Sequence, residues 1–125
     1  MDMSTDPADQ LRSPDTLTTA LSEQSDLTVL TVSGTIDLAT AATLRDAVDV
    51  AIGKARTGLI IDLSGVDFLA SAGMTILVDA RQRVADKAFA VVADGPATAR
   101  PLKLTGLDEA LSLYATLVEA VERIG

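Results

Sequence analysis

The chain has 125 residues, enough for one domain with a single buried core, and its hydrophobic share of 48% comes almost wholly from Leu, Val, Ile and Ala. A net charge of −8 and only three aromatic residues, Phe68, Phe89 and Tyr114, exclude the basic footprint and stacking platforms of a nucleic-acid binder. With no Cys and no His, the chain cannot assemble a disulfide framework, a thiol nucleophile, a Ser-His-Asp triad or a common zinc site.

Residues 1–14 are polar, hold Pro7 and Pro14, and carry no periodicity, which predicts a mobile tail ahead of one domain at 15–125. The opening MDMSTDPADQ has neither the basic nor the apolar region of a secretion signal. No uncharged run approaches the roughly 20 residues of a membrane span, so the expected setting is the cytoplasm, without membrane insertion. Leu17–Leu21 and Leu27–Ile36 flank the polar Glu23-Gln24-Ser25-Asp26 and predict a β-hairpin. Leu27, Val29 and Thr31 fall on one face of its second strand, and Thr28, Leu30 and Val32 on the other. Gly34 marks a bend or a close backbone approach.

Thr40 is the expected N-cap of an amphipathic helix, in which Ala41, Leu44, Ala47, Val48, Ala51, Ile52 and Ala55 recur at helical spacing before Thr57-Gly58 ends it. Leu59–Leu63 is a continuous apolar run, the pattern of a strand covered on both faces. Ser64-Gly65 reads as a turn and Val66–Leu69 as a connection into a second helix from Ser71 to about Asp86. Its buried face is expected to hold Met74, Leu77, Val78, the stem of Arg81, and Val84. Ala88–Ala93 is a further buried strand, stopped by Asp94-Gly95-Pro96. A short helix over Thr98–Leu104 takes Pro101 in its first turn and is capped by Gly106. A brief strand at Leu111–Leu113 leads to a closing helix with Leu117, Val118, Val121 and Ile124 as its apolar stripe. This alternation predicts an α/β fold, a mixed sheet of four to five strands with about four helices packed on it.

The stretch most able to carry chemistry is Leu59–Ala80, where a buried strand delivers Ser71 to the first turn of a helix. The first amides of a helix lack intrahelical partners, and the macrodipole places about half a positive charge there. A phosphate on Ser71 would meet both. The small Ala70, Ala72 and Gly73 leave room for another protein's active site to reach the hydroxyl. Ser is equally a favoured N-cap, and local physics leaves both readings open. Ser64 reads as part of a turn rather than a second phosphosite. Thr75, one helical turn beyond Ser71, sits where it could touch a partner. Asp62, Asp67 and Asp79 read as scattered solvated acids, because no matching Lys and acidic cluster can be placed beside them. No catalytic residue, metal ligand or cofactor site is expected.

Three motifs occur in order over roughly residues 15–124: Gly34-Thr35-Ile36-Asp37, then Asp62-Leu63-Ser64-Gly65-Val66 leading to Ala70-Ser71-Ala72-Gly73, then Leu104-Thr105-Gly106-Leu107-Asp108. Together they resemble the STAS domain family, the sulphate-transporter and anti-sigma-factor-antagonist domain. In that family a strand ending in Asp-Leu-Ser-Gly-Val is followed by Asp-Ser-Ser-Gly at a helix start. In its antagonists the first Ser of that signature is phosphorylated by the anti-sigma factor, itself an ATP-dependent kinase, and by position this residue is Ser71. Ala70 stands where the family has Asp, and Ala72 where it has the second Ser. The resemblance implies a bacterial, cytoplasmic partner-switching antagonist, a kinase substrate rather than an enzyme, with a phosphatase to reverse the mark. It also implies a partner surface made of Asp37, Ala70, Ser71, Ala72, Gly73, Met74 and Thr75. For Asp37 a second role, capping the helix that begins near Thr40, is compatible with this. The alternative expectation is an unphosphorylated STAS accessory or ligand-binding subunit of a transport or signalling complex.

Overall fold

The computed structural model describes residues 16–125, so the predicted tail at 1–14 lies outside the described residues. The hairpin is present as β1 (Leu17–Gln24) and β2 (Leu27–Ile36), antiparallel and in continuous register from Leu17↔Gly34 to Gln24↔Leu27. Its turn is tighter than the four polar residues predict. Ser25 and Asp26 alone turn the chain, with φ of 51° and 68°, the doubly left-handed geometry that matches strand twist in a two-residue hairpin. The polar Glu23 and Gln24 are therefore strand residues on an exposed edge.

The remaining elements are α1 (Ala41–Lys54), β3 (Gly58–Leu69), α2 (Ser71–Val84), β4 (Ala88–Val92), α3 (Ala99–Leu104), α4 (Leu107–Ala110), β5 (Leu113–Tyr114) and α5 (Leu117–Ile124). The sheet order is β1-β2-β3-β4-β5, with every pair after the first parallel. Successive right-handed crossovers stepping in one direction put their helices on one face. There Leu44, Val48 and Ala51 of α1 and Ile76, Leu77 and Ala80 of α2 pack on Leu30, Val32, Ile61 and Leu63. The chain then returns across the other face as α5, whose Ala120 covers Leu27, Val29, Ile60, Ala90 and Val92. Both faces of β2 and β3 are thus buried, as their apolar content requires.

Five expectations are corrected. Ser64-Gly65 is not a turn: β3 runs unbroken to Leu69, taking up two register shifts against β2, between Thr31 and Ser33 and between Gly34 and Thr35. Asp62 holds this irregular stretch, its carboxylate accepting the Ser64 amide at 2.9 Å, and it is buried rather than solvated. The buried stripe of α2 is Gly73, Ile76, Leu77, Ala80 and Val84, with Met74 and Val78 half-buried at its margin. The helix is rotated by about 100°, one residue, from the predicted face. Arg81 is likewise half-buried, its guanidinium 5.8 Å from the centre of the Phe89 ring. On α5, Ala120 is fully buried whereas Val118 is 66% exposed. The one-turn α4 carries too few residues to show a period, and β5 follows it two residues later than expected.

Candidate functional site

Because β2, β3 and β4 are parallel, their carboxyl ends lie along one edge of the sheet, where loops of an α/β fold gather function. The Ala70 amide donates to the Ile36 carbonyl at 2.9 Å. The segments that start with Asp37 and Ser71 therefore leave neighbouring strand ends, and two helices begin side by side.

The loop that enters α1 is tied together by its own side chains. The Thr40 hydroxyl donates to the Thr35 carbonyl at 2.7 Å and accepts the Asp37 amide at 3.0 Å. The Asp37 carboxylate accepts the Thr40 amide at 3.1 Å. Thr40 occupies the N-cap position as predicted, yet its buried hydroxyl ties the loop together instead of capping the helix amides. Asp37 is half-buried in this loop and bonds the N-cap residue itself, so its structural role is to hold the turn that enters α1.

The start of α2 is open. Its N-cap is Ala70, extended at φ −82° and ψ 166°, with no side-chain acceptor to offer. Ser71 is the first helical residue and not the cap, which removes the plain capping reading of its hydroxyl. The Ala70 carbonyl accepts the amides of Gly73 at 2.9 Å and Met74 at 3.2 Å, leaving those of Ser71 and Ala72 without intrahelical partners. Ser71 is exposed, and among the described residues its hydroxyl makes no hydrogen bond.

Gly73 sets this geometry from below. A Cβ there would lie 2.4 Å from Ile36 Cγ2 and 2.8 Å from Leu69 Cδ1, so only glycine lets α2 begin this close to the sheet. Of the expected partner residues, Gly73 is therefore buried and supports the surface without forming it. Ala70, Ala72 and Met74 are half-buried, and Thr75 is exposed with its hydroxyl donating to the Ser71 carbonyl at 3.1 Å. A shallow groove of about 310 Å³ runs from Ser71 past Met74, Thr75 and Val78 to Thr105 and Leu107 of the α3–α4 corner. The third motif thus borders the surface that the first two build.

Three apolar residues near the strand ends and this corner escape sequence reasoning: Leu38 at 85% exposure, Leu104 at 74% and Phe68 at 52%. The available signal is position, since Leu38 follows Asp37, Phe68 precedes Leu69-Ala70, and Leu104 opens the third motif. The acids stay apart. Asp67 accepts from the Thr35 hydroxyl at 2.8 Å, while Asp79 lies 3.6 Å from Arg83 on the exposed side of α2. Arg83 also bonds Asp49 of α1 at 2.6 Å, and that bond raises the guanidinium above its ordinary pKa. Among the described residues no group of three His, Cys, Asp or Glu could hold a metal ion, and no helix is long and apolar enough to cross a membrane.

The STAS domain family matches residues 18–120. The chain is 38% identical over 112 residues to the anti-sigma-F factor antagonist RsfB of Mycobacterium tuberculosis, an overlap covering 89% of this chain and 92% of that protein. It is also similar to the crystal structure of an anti-sigma factor antagonist from Mycobacterium paratuberculosis, with a TM-score of 0.86, 41% identity, and coverage of 91% of this chain and 98% of that one. The unphosphorylated form of the anti-sigma factor antagonist SpoIIAA shares the fold at a TM-score of 0.70 and 19% identity, covering 86% of this chain and 96% of its own. Since the family match takes in β1 through the middle of α5, and with it both helix starts, the chain belongs to the STAS domain family.

Proposed function

We propose that this protein is an anti-sigma factor antagonist that binds an anti-sigma factor kinase through the edge around Asp37, Ser71 and Thr75, and that phosphorylation of Ser71 releases it. The observation that carries this reading is the open start of α2: an exposed hydroxyl at the first helical residue that makes no hydrogen bond among the described residues, with two amides lacking intrahelical partners and no side-chain cap. Its relatives named as antagonists support the coarser part of the claim.

In the unphosphorylated state Ser71 adds no charge to a surface that also presents Met74 and the nearby Leu38 and Phe68. A partner covering that surface buries apolar area, which favours binding. In the phosphorylation step the Ser71 oxygen attacks the γ-phosphorus of the ATP held by the partner. The new O–P bond forms as ADP departs, and a base of the partner takes the hydroxyl proton. The product carries about −1.5 to −2 charge in the middle of the contact, where desolvating it opposes rebinding. The free amides of Ser71 and Ala72 and the helix dipole stabilise the phosphorylated form while it is detached. A phosphatase restores the hydroxyl by hydrolysis. The protein is then a cytoplasmic kinase substrate and not an enzyme, and it needs no cofactor of its own. Because Ala70 and Ala72 bring no polar group beside Ser71, the kinase must recognise the rest of this edge.

The test is to incubate the protein with its candidate kinase and ATP, alongside Ser71→Ala. Label confined to the parent chain is the expected result. Label persisting on the variant, or a native partner without a kinase fold, would overturn the assignment, the latter in favour of an accessory subunit.

A further inference from the structure

A second surface lies away from Ser71, along β1. This strand is one edge of the sheet, and it is the long edge: eight residues, against two for β5 at the other. Natural edges are commonly blunted with Pro, Lys, a bulge or brevity. β1 has no Pro, no Lys or Arg and no register shift, and Glu23 is its single charge. The Thr35 amide donates to the Thr16 carbonyl, so the even-numbered residues of the strand turn their backbone groups toward β2. Leu17, Thr19, Leu21 and Glu23 turn theirs outward.

We propose that β1 pairs antiparallel with β1 of a second copy of this chain, joining two sheets into one of ten strands about a two-fold axis. The choice of occupant rests on self-complementarity. A register centred on Ala20 sets Leu17 against the second copy's Glu23 and Thr19 against its Leu21, then repeats both pairs by symmetry. That register uses all four outward residues of each strand, giving eight inter-strand hydrogen bonds, whereas a shift to a centre on Thr19 or Leu21 loses two. It also keeps the strand's only charges apart, since the two Glu23 residues lie six positions from each other, about 20 Å. Ala20, small and exposed, falls on the axis as a non-hydrogen-bonded pair, where strands approach most closely. Beside the edge, Leu21 and Val50 are 38% and 51% exposed along a groove between β1 and α1 that Ala47 also lines. In this register the two Leu21 side chains become diagonal neighbours across the axis, within reach of one another. The pairing leaves the carboxyl edge of β2–β4 free, so each particle would offer two Ser71 surfaces.

The full chain has no cysteine, which makes the register directly readable. Ala20→Cys puts two thiols across the axis at a Cα separation of about 4.5 Å, inside disulfide range. In Ser22→Cys they stand about 13 Å apart along the strands. Sedimentation of the parent chain is expected to show a dimer that strengthens with salt, because two bodies each carrying −8 repel one another. Under mild oxidation the A20C variant should form covalent dimer at least about tenfold faster than the S22C variant. Ala20→Arg, at an exposed position the monomer does not need, should be monomeric with an unchanged melting temperature. A parent chain that stays monomeric at every concentration and salt, equal cross-linking of the two thiol variants, or a dimer that survives Ala20→Arg would each overturn the proposal.

Discussion

Two helices begin side by side at one edge of the sheet, neither capped by a side chain, and the segments that enter them differ. At α1 the loop is knotted by Asp37, Thr40 and the Thr35 carbonyl, with hydrogen bonds at 2.7, 3.0 and 3.1 Å. At α2 the cap position holds Ala70, and the adjoining hydroxyl of Ser71 is left to solvent. A polar cap there would stabilise the helix by about 1 kcal/mol. Thr40 caps no helix amide either, so the contrast lies in the side chains: those ahead of α1 bond one another within the loop, whereas Ser71 stands exposed at the start of α2.

The largest effect should come from the residue that seats the open start. Gly73→Val forces a side chain into Ile36 and Leu69 and should destabilise the protein by about 3 kcal/mol, read as a lowered urea midpoint. Close behind it, Thr40→Val removes both the donor to the Thr35 carbonyl and the acceptor of the Asp37 amide from a buried site. A loss of about 2 kcal/mol is expected by the same measurement, showing that the loop entering α1 is built for stability. The reverse experiment closes the open start. Ala70→Asp supplies the missing acceptor and should raise stability by about 1 kcal/mol; no gain would mean that the α2 amides are already satisfied. The smallest effect is the most telling. Ser71→Ala should move stability by less than about 0.5 kcal/mol, since among the described residues the hydroxyl bonds nothing, while abolishing phosphorylation.

Much of this architecture is legible in the sequence because period and composition agree. The alternation of Leu59–Leu63, the α2 segment and Ala88–Val92 can only be buried strands around a helix, and the parallel sheet follows. The misreadings have physical causes. Ser64-Gly65 carries turn residues, but a strand that takes up two extra residues against its neighbour needs them as much as a turn does. The α2 face reads one residue off because counting large apolar side chains gives no weight to Gly73, whose lack of a Cβ decides which side meets the sheet. Val118 and Ala120 exchange roles for a similar reason, a small residue filling a close crossing. At the site, Ser71 stands out through its family motif and its helix start. What pattern does not disclose is that Ala70, and not Ser71, occupies the cap, since residue preference alone favours Ser there and only the backbone angles show otherwise.

The proposed switch at Ser71 implies a contrast in binding. The proposed partner, an anti-sigma factor kinase, should be titrated with the protein before and after Ser71 is phosphorylated, at fixed ionic strength. A fall in affinity of at least about tenfold on phosphorylation is expected, equivalent to about 1.4 kcal/mol of lost binding free energy. Equal affinity of the two forms would contradict the claim that the open start of α2 is the switch.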